Sequence, residues 1–260
     1  MTNVQYQSGA ISPGDCIGGA WNLVTRNFWF YIGMGLVTIL LIGCVPIVGS
    51  VLFGPMLAGF YYVVLRDMRD EPIEFGMLFK GFEKFLPLML GGLVQAAPGL
   101  VATIVQYTVD LARIGAGVSS GGDFDFYQSN SDAVFAGISA GIFLIVLALT
   151  LFGIVWSVLL IFTLPLILEH NLSVIDALLT SARAVLRNAG GMILLIILQV
   201  LVGILGVVAL CLGIFVAIPV IYGANAFAYR MVFPSFTPPP NMNITPPPPT
   251  EYGGTYGRNY

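Results

Sequence analysis

The ionisable residues of this chain stand at the ends of its apolar stretches. Asp110 closes one stretch, and Glu169 with His170 closes another. A carboxylate beside an imidazole could act as a general base or help to bind a metal ion. Because the chain has one histidine and no carboxylate cluster near it in sequence, we expect Glu169 and His170 to form a solvated helix end.

Sequence motifs for catalysis are also missing. The chain contains no glycine-rich phosphate loop, nucleophile elbow or zinc-protease motif. The acidic loop around Asp123 and Asp125 lacks the spacing of a calcium loop, so we expect a solvated loop there. We therefore predict a protein that is not an enzyme, has no catalytic residue and requires no metal or cofactor.

Three uncharged polar residues lie about midway along separate apolar stretches: Thr38, Gln95 and Gln199. Each stands eleven positions after the polar residue that precedes its stretch. Such side chains hydrogen-bond to neighbouring membrane helices, contributing about 1 kcal/mol or less. We predict that these three residues form a polar seam, which would suit either a helix interface or a path for a neutral or amphipathic solute.

The elements that would position these residues are membrane helices. The chain is 57% hydrophobic and 9% charged, with a mean hydropathy of +0.91, whereas soluble domains carry about a quarter charged residues. A spanning helix needs about 20 apolar residues. Six stretches qualify, at residues 28–45, 47–65, 86–111, 133–169, 192–212 and 213–233. The fourth is too long for one upright helix and must tilt, project or break near Pro165.

The basic residues predict an orientation. With six spans, nine of the ten fall on one side and Arg113 alone falls on the other. By the positive-inside rule both termini are cytoplasmic. No cleavable signal peptide precedes the first stretch, so we expect that helix to direct its own insertion. The chain has no basic stripe to meet phosphates, and we predict no nucleic-acid partner.

A repeat precedes the first and fifth stretches. Ser12, Asp15, Arg26 and Asn27 recur 161 residues later as Ser173, Asp176, Arg187 and Asn188. The serine suits a helix N-cap and the aspartate suits the positive end of the helix dipole. Apolar residues recur at helical spacing from each cap, which predicts amphipathic helices lying at the inner membrane surface.

A weaker third copy lies between these two. It begins at Pro72 and Glu74, and Lys84 replaces the asparagine. Its apolar face is formed by Phe75, Leu78, Phe79, Phe82 and Phe85. The predicted fold is all-α, a polytopic membrane protein with six transmembrane helices as three hairpins. An interfacial amphipathic helix precedes each hairpin, and the repeats are parallel.

The last helix of the first and third units carries the same exit pattern, Pro-x3-Gly-x6-Arg. The residues are Pro55, Gly59 and Arg66, then Pro219, Gly223 and Arg230. Together with Gly54, Tyr62 and the second repeat copy, this pattern resembles uncharacterised bacterial multi-pass membrane proteins of the domain-of-unknown-function type. It is also similar to the membrane domain that precedes some glycerophosphodiester phosphodiesterases. The resemblance covers residues 10–233 and implies a bacterial inner-membrane location without an activity, since no phosphodiesterase domain is present.

Aromatic and basic residues mark the expected inner boundary of the membrane. The predicted anchors are Trp21, Arg26, Arg66, Arg187 and Arg230. They are typical of an aromatic and basic belt, and a lipid-headgroup site is the alternative use of the same side chains. Membrane lipids are therefore the expected partners.

The composition changes after Phe233. Half of the 16 prolines follow it, so we predict three segments: a cytoplasmic segment 1–11, a membrane domain 12–233 and a Pro-rich disordered tail 234–260. The tail could dock a protein partner through Pro246, Pro247, Pro248, Pro249 and Tyr252, although a spacer is the default expectation. Pairing of Cys44 with Cys211 is also left open.

These observations favour a non-enzymatic integral membrane protein that acts as a scaffold or assembly component. The alternative is a transporter or lipid-handling protein for a neutral or amphipathic solute, working through the polar seam. A continuous cavity beside the seam would favour transport, and a densely packed centre would favour the scaffold.

Overall fold

The computed structural model describes residues 5–43, 46–119, 128–209 and 213–234. In these ranges the chain is helical with irregular connections and contains no β-strand, which confirms the all-α prediction. The α-helices are α1 Pro13–Arg26, α2 Phe28–Gly43, α3 Pro46–Asp67, α4 Phe85–Ser119, α5 Gln128–Leu159, α6 Thr163–His170, α7 Val174–Arg187, α8 Ala189–Val208 and α9 Ile214–Val232. A 3₁₀ helix, Phe75–Lys84, connects α3 to α4.

Several of these helices are long and apolar enough to cross a membrane. Five candidate spans occur in the described ranges: Gly49–Asp67, Phe75–Thr108, Leu144–His170, Ala189–Val208 and Ile214–Val232. A sixth is counted only if α1 and α2, bent by 101° between them, are taken as one span. The finding supports a multi-pass membrane protein. At 1.5 Å per residue the 16-residue α2 is about 24 Å long, shorter than the roughly 30 Å hydrocarbon core.

The long fourth stretch is broken. Helix α5 ends at Leu159, a turn occupies residues 160–162, and α6 begins at Thr163. Pro165 does not lie at the break but in the first turn of α6, where its missing N–H leaves no hydrogen bond unmade. The Ser181 hydroxyl of α7 crosses the turn, accepting from the Phe162 N–H at 3.1 Å and donating to the Leu159 carbonyl at 2.8 Å.

Three amphipathic elements, namely α1, the 3₁₀ helix and α7, pack against longer helices. Helix α1 lies on α9, the 3₁₀ helix on α3, and α7 on α6. Glycine permits the closest of these approaches. A Cβ on Gly59 would stand 1.7 Å from the Leu78 carbonyl oxygen, and one on Gly223 would stand 3.1 Å from the Ala20 Cβ.

The two predicted helix caps differ in the structure. In α7 the Ser173 hydroxyl accepts from the Asp176 N–H at 3.2 Å and donates to its carboxylate at 2.8 Å. In α1 Ser12 occupies the N-cap position, but its side chain makes no capping hydrogen bond. That part of the prediction is wrong, and Pro13 at the start of α1 has no N–H that needs a partner.

The third amphipathic element is a 3₁₀ helix of ten residues. Runs longer than three or four residues are uncommon because the hydrogen-bond geometry is poor. Side chains three residues apart eclipse in this helix, and its phenylalanines use that spacing. The Phe79 and Phe82 rings lie 5.9 Å apart, and Phe82 stacks on Phe85 at 6.0 Å.

The centre of the molecule is formed where α3, α6 and α9 meet. Helix α3 contacts both α6 and α9, and the Phe162 ring, at the start of α6, lies 6.0 Å from the Tyr229 ring of α9. The large side chains here are fully buried: Phe60, Tyr61, Phe162, Leu164 and Tyr229. Aromatic and aliphatic groups thus fill this centre.

Candidate functional site

Charged side chains gather where α3, α6 and α9 end, a region we call the ionic face. Glu169, at the end of α6, accepts a short hydrogen bond from the Arg230 guanidinium of α9. Arg69 follows α3, and its Nη1 lies 3.9 Å from Glu169 Oε1. Both members of the Glu169–Arg230 pair are largely buried, since 21% and 14% of their side chains are exposed. Removing one partner would therefore leave a poorly solvated charge on the other.

Asp67 is the most buried carboxylate of the ionic face. It is 4% exposed and binds Arg26 Nη2 at 2.5 Å and the Tyr31 hydroxyl at 2.8 Å. Arg26 also donates to Asp70 at 2.7 Å. Hydrogen bonding to Asp67, and then to Asp70, raises the pKa of the Arg26 guanidinium above its ordinary value, so α1 is held to the end of α3 by a permanent cation.

Glu71 joins two arginines just beyond α3. Arg69 Nε lies 2.7 Å from Glu71 Oε1. Arg66 Nε forms an ion pair with Glu71 Oε2 at 3.0 Å, without a hydrogen bond between the two atoms. The Arg66 Nη1 donates to the Tyr62 hydroxyl at 3.3 Å.

A cavity of about 340 Å³ opens in the ionic face between α3, the 3₁₀ helix and α6. We call it the basic cavity. Its lining is made of Tyr62, Leu65, Arg69, Lys80, Glu83, Lys84, Leu168 and Glu169. Lys80 pairs with Glu83 at 2.6 Å. Lys84 instead donates to the Leu168 carbonyl at 2.6 Å and the Ile167 carbonyl at 3.4 Å.

The residues that join each amphipathic element to its long helix make comparable contacts. Asn27 lies with its Nδ2 3.4 Å from both Asp67 carboxylate oxygens at the end of α3. Lys84 binds the carbonyls at the end of α6. Asn188 donates to the Gln7 carbonyl at 2.9 Å, and the Gln7 N–H reaches the Val232 carbonyl at the end of α9, also at 2.9 Å.

The members of the predicted polar seam use different partners. Thr38 donates to the Met34 carbonyl of its own helix at 2.8 Å. Gln199 donates to the Asn225 side chain of α9 at 2.6 Å. The Gln95 carbonyl oxygen is buried without a hydrogen-bond partner in the described part of the chain. No hydrogen bond there joins Thr38, Gln95 and Gln199 to one another.

The predicted anchors also separate into two groups. Arg26, Arg66 and Arg230 pair with carboxylates of the ionic face. Arg187 lies over the Tyr6 ring, 5.6 Å from its centre, and the Trp21 side chain is 52% exposed. Trp21, Arg26 and Arg187 are exposed, whereas Arg66 and Arg230 are partly buried.

Sequence reasoning missed two partners of the predicted residues. Asp67, which binds the anchor Arg26, and Asn225, which binds the seam residue Gln199, were not among the predicted site residues, although Asp67 follows Arg66 directly at the end of the exit pattern. An aspartate beside that arginine was the available signal. For Asn225, which lies in an apolar helix, intramembrane polarity was a comparable signal.

In the described ranges no three His, Cys, Asp or Glu side chains come together as a group that could hold a metal ion. Cys16 is fully buried, and burial raises the pKa of its thiol to about 12. The proposed Cys44–Cys211 pair, the acidic loop at 121–125 and the docking residues Pro246 to Pro249 with Tyr252 lie outside the described residues, so the structure does not address them.

Comparisons with family models, curated proteins and solved structures found no significant match to this chain. The resemblance to uncharacterised bacterial membrane proteins therefore stays an expectation.

Proposed function

We propose that this chain is a non-enzymatic scaffold of the bacterial inner membrane, with the ionic face and both termini in the cytoplasm. The observation that carries the proposal is the densely filled centre between α3, α6 and α9. A protein that moves solutes needs a path with two accessible arrangements. A centre filled with large buried side chains resists gradual opening of such a path, because closely packed interiors do not deform continuously.

The organisation we infer is three units arranged around that centre. Each unit has an amphipathic element followed by two long helices, and each amphipathic element rests on the last helix of the preceding unit. Support comes from α1 on α9, the 3₁₀ helix on α3 and α7 on α6. Because α1 lies on α9, the first and last units also meet and the arrangement closes.

The distribution of charge supports the proposed orientation. Six cations belong to or adjoin the ionic face: Arg26, Arg66, Arg69, Lys80, Lys84 and Arg230. Clustering of basic residues at one end of a helical bundle is what the positive-inside rule associates with the cytoplasm.

Affinity purification in a mild detergent tests the scaffold role. The full chain would be compared with a chain lacking 234–260 and with a full-length tail whose four prolines at 246–249 are replaced by Gly and Ser. A scaffold predicts a reproducible, stoichiometric protein partner, identified by mass spectrometry and recovered when the partner carries the tag. Loss with both tail variants would place docking at the prolines.

Lipid handling or transport is the second candidate, favoured by the buried Gln199–Asn225 pair and by the Gln95 oxygen, which has no hydrogen-bond partner among the described residues. Proteoliposomes swelling in glycerol would measure it. The scaffold proposal would be overturned by two results together. The first is swelling that exceeds that of empty vesicles and falls with Gln95→Leu and Gln199→Leu; the second is the absence of a stoichiometric protein partner.

A further inference from the structure

We propose that the basic cavity binds a phosphate-bearing anion, and that its source is the headgroup of an anionic phospholipid. This inference goes beyond a scaffold role, because it assigns a ligand site to residues of α3, the 3₁₀ helix and α6.

The charge around the cavity is the first reason. The lining side chains and their ion-pair partners comprise four cations, Arg69, Lys80, Lys84 and Arg230, and three carboxylates. The carboxylates are Glu71, Glu83 and Glu169, and each already faces an arginine or a lysine. The excess cationic charge is therefore left for a ligand. Basic pockets between membrane helices on the cytoplasmic side suit anionic headgroups.

Lys84 is the second reason. Its ammonium donates to two carbonyl oxygens at the end of α6, and these are neutral acceptors. The contacts fix the position of the ammonium at the cavity wall without cancelling its charge. An ammonium has three N–H donors, so one remains to meet a phosphate oxygen when Leu168 and Ile167 take the other two.

Arg69 and Lys80 supply further hydrogen-bond donors to the wall of the basic cavity. Arg69 reaches Glu71 through Nε and approaches Glu169 through Nη1, and a guanidinium carries five N–H donors. Lys80 is half-exposed at 46% of its side chain and turns toward Glu83. Arginine and lysine together supply directional and point-charge contacts to phosphate.

The size and surroundings of the cavity favour a lipid over a free ion. Ligand cavities run from about 300 to 1,000 Å³, and 340 Å³ fits a small headgroup. Phenylalanines alternate with the charged residues along the 3₁₀ helix, and Phe79 and Phe85 are 46% and 37% exposed. An apolar surface beside a cationic cavity matches the two ends of a phospholipid.

Binding to the purified full-length chain tests the proposal. In an uncharged maltoside detergent, dioctanoyl phosphatidylglycerol would be titrated against dioctanoyl phosphatidylcholine, with glycerol 3-phosphate and inorganic phosphate as water-soluble probes. Native mass spectrometry would count bound lipids, and the shift in thermal unfolding temperature would give affinity. We expect phosphatidylglycerol to bind most tightly.

Charge-neutral variants locate the site. Lys80→Gln and Lys84→Gln should each weaken phosphatidylglycerol binding about tenfold, the loss of roughly one charge-assisted contact. Arg183→Gln, at an exposed cation of α7 that does not line the cavity, should leave binding unchanged. Lys84→Arg keeps the charge and covers the case in which the Lys84→Gln chain does not fold.

The result that overturns the site is equal binding of the two lipids, or equal binding by the wild type and both glutamine variants. If inorganic phosphate or glycerol 3-phosphate binds as tightly as the lipid, and Lys80→Gln weakens it, the lipid source is overturned. These readouts need no protein partner, so they fail or succeed independently of the scaffold role.

Discussion

The outer two proposed units and the middle one solve the same packing problem differently. The last helices of the outer units, α3 and α9, are unbroken. Each is contacted by an amphipathic element at a glycine, Gly59 in α3 and Gly223 in α9. In the middle unit the last long helix is interrupted at residues 160–162, between α5 and α6, and α7 packs against this interruption. Close approach is reached by deleting a side chain in one case and by breaking the helix in the other.

The sequence repeat places the same position at two of these contacts, those made by α1 and α7. Ser181 stands 161 residues after Ala20, which is the offset of the repeat. Ala20 faces Gly223 with an apolar methyl group, whereas Ser181 supplies the hydroxyl that satisfies the broken backbone of its partner. A broken helix exposes backbone polar groups that lipid cannot satisfy, so the middle unit needs a hydroxyl where the outer unit needs a small apolar group.

The largest loss of folding stability is expected from Gly59→Ala. Its Cβ would stand 1.7 Å from a backbone carbonyl of the 3₁₀ helix, so backbone must move, and overpacking costs about 1–3 kcal/mol or more. Thermal unfolding and the monodisperse yield in detergent would measure the loss.

Two matched glycines sharpen that test. Gly223→Ala meets the Ala20 Cβ at 3.1 Å and should destabilise the fold less. Gly203→Ala in α8 meets no described atom within 4 Å and should leave stability unchanged or raise it. Equal effects at all three positions would contradict a packing origin.

Ser181→Ala is expected to cause the next-largest loss of stability. It removes one acceptor and one donor at the turn 160–162, leaving the Phe162 N–H and the Leu159 carbonyl unpaired, at about 1–3 kcal/mol. Hydrogen exchange at Phe162, resolved by mass spectrometry of short peptides, should quicken along with the loss of stability.

Thr163→Val is the control at the same break. The Thr163 hydroxyl is buried without a hydrogen-bond partner in the described ranges, so the isosteric change should be neutral or stabilising. If Thr163→Val destabilises as much as Ser181→Ala, the hydroxyl of Ser181 has no special role at the turn.

Asn188→Ala should have a moderate effect that exceeds that of Asn27→Ala. The Asn188 side chain bonds the Ala10 N–H at 3.0 Å and the Gln7 carbonyl at 2.9 Å, whereas Asn27 has contacts of 3.4 Å. We expect about 1–2 kcal/mol against about 0.5 kcal/mol. Limited proteolysis before Ile11 should accelerate in the Asn188 variant alone, and equal rates would show that Asn188 does not hold this segment.

The smallest effect concerns Cys16, whose thiol is buried in α1 and has a pKa of about 12. Since the thiolate is the reactive form, raising the pKa suppresses alkylation below pH 12. In a Cys44→Ala, Cys211→Ala chain, maleimide labelling at pH 8 should be slow until denaturant is added. Rapid labelling of the folded chain would mean that α1 does not cover Cys16.

Local patterns predicted the helices well and predicted their contacts poorly. Hydropathy located the apolar stretches, because about 20 apolar residues are needed for a span, and Ser173 with Asp176 marked a true cap. The turn at 160–162 contains no Gly or Pro that would mark it in the sequence. Its backbone groups are instead bonded by Ser181, about 20 residues away. Likewise Arg26 pairs with Asp67 across 41 positions, a distance at which periodicity says nothing about partners.

A disulfide between α1 and α9 tests the closed arrangement most directly. Ala20→Cys and Gly223→Cys would be placed in a chain with all three native cysteines changed to Ala and a protease site inserted at 120–127. The approach of 3.1 Å becomes a disulfide after a small relaxation toward the usual Cβ separation of about 3.8 Å. We predict that oxidised, cleaved protein stays as one band on a non-reducing gel. The Gly18→Cys, Gly223→Cys chain should separate into two fragments, because a Cβ at Gly18 meets no atom of the described residues within 4 Å. Two separate fragments from the first chain, or linkage only between molecules, would contradict the closed arrangement.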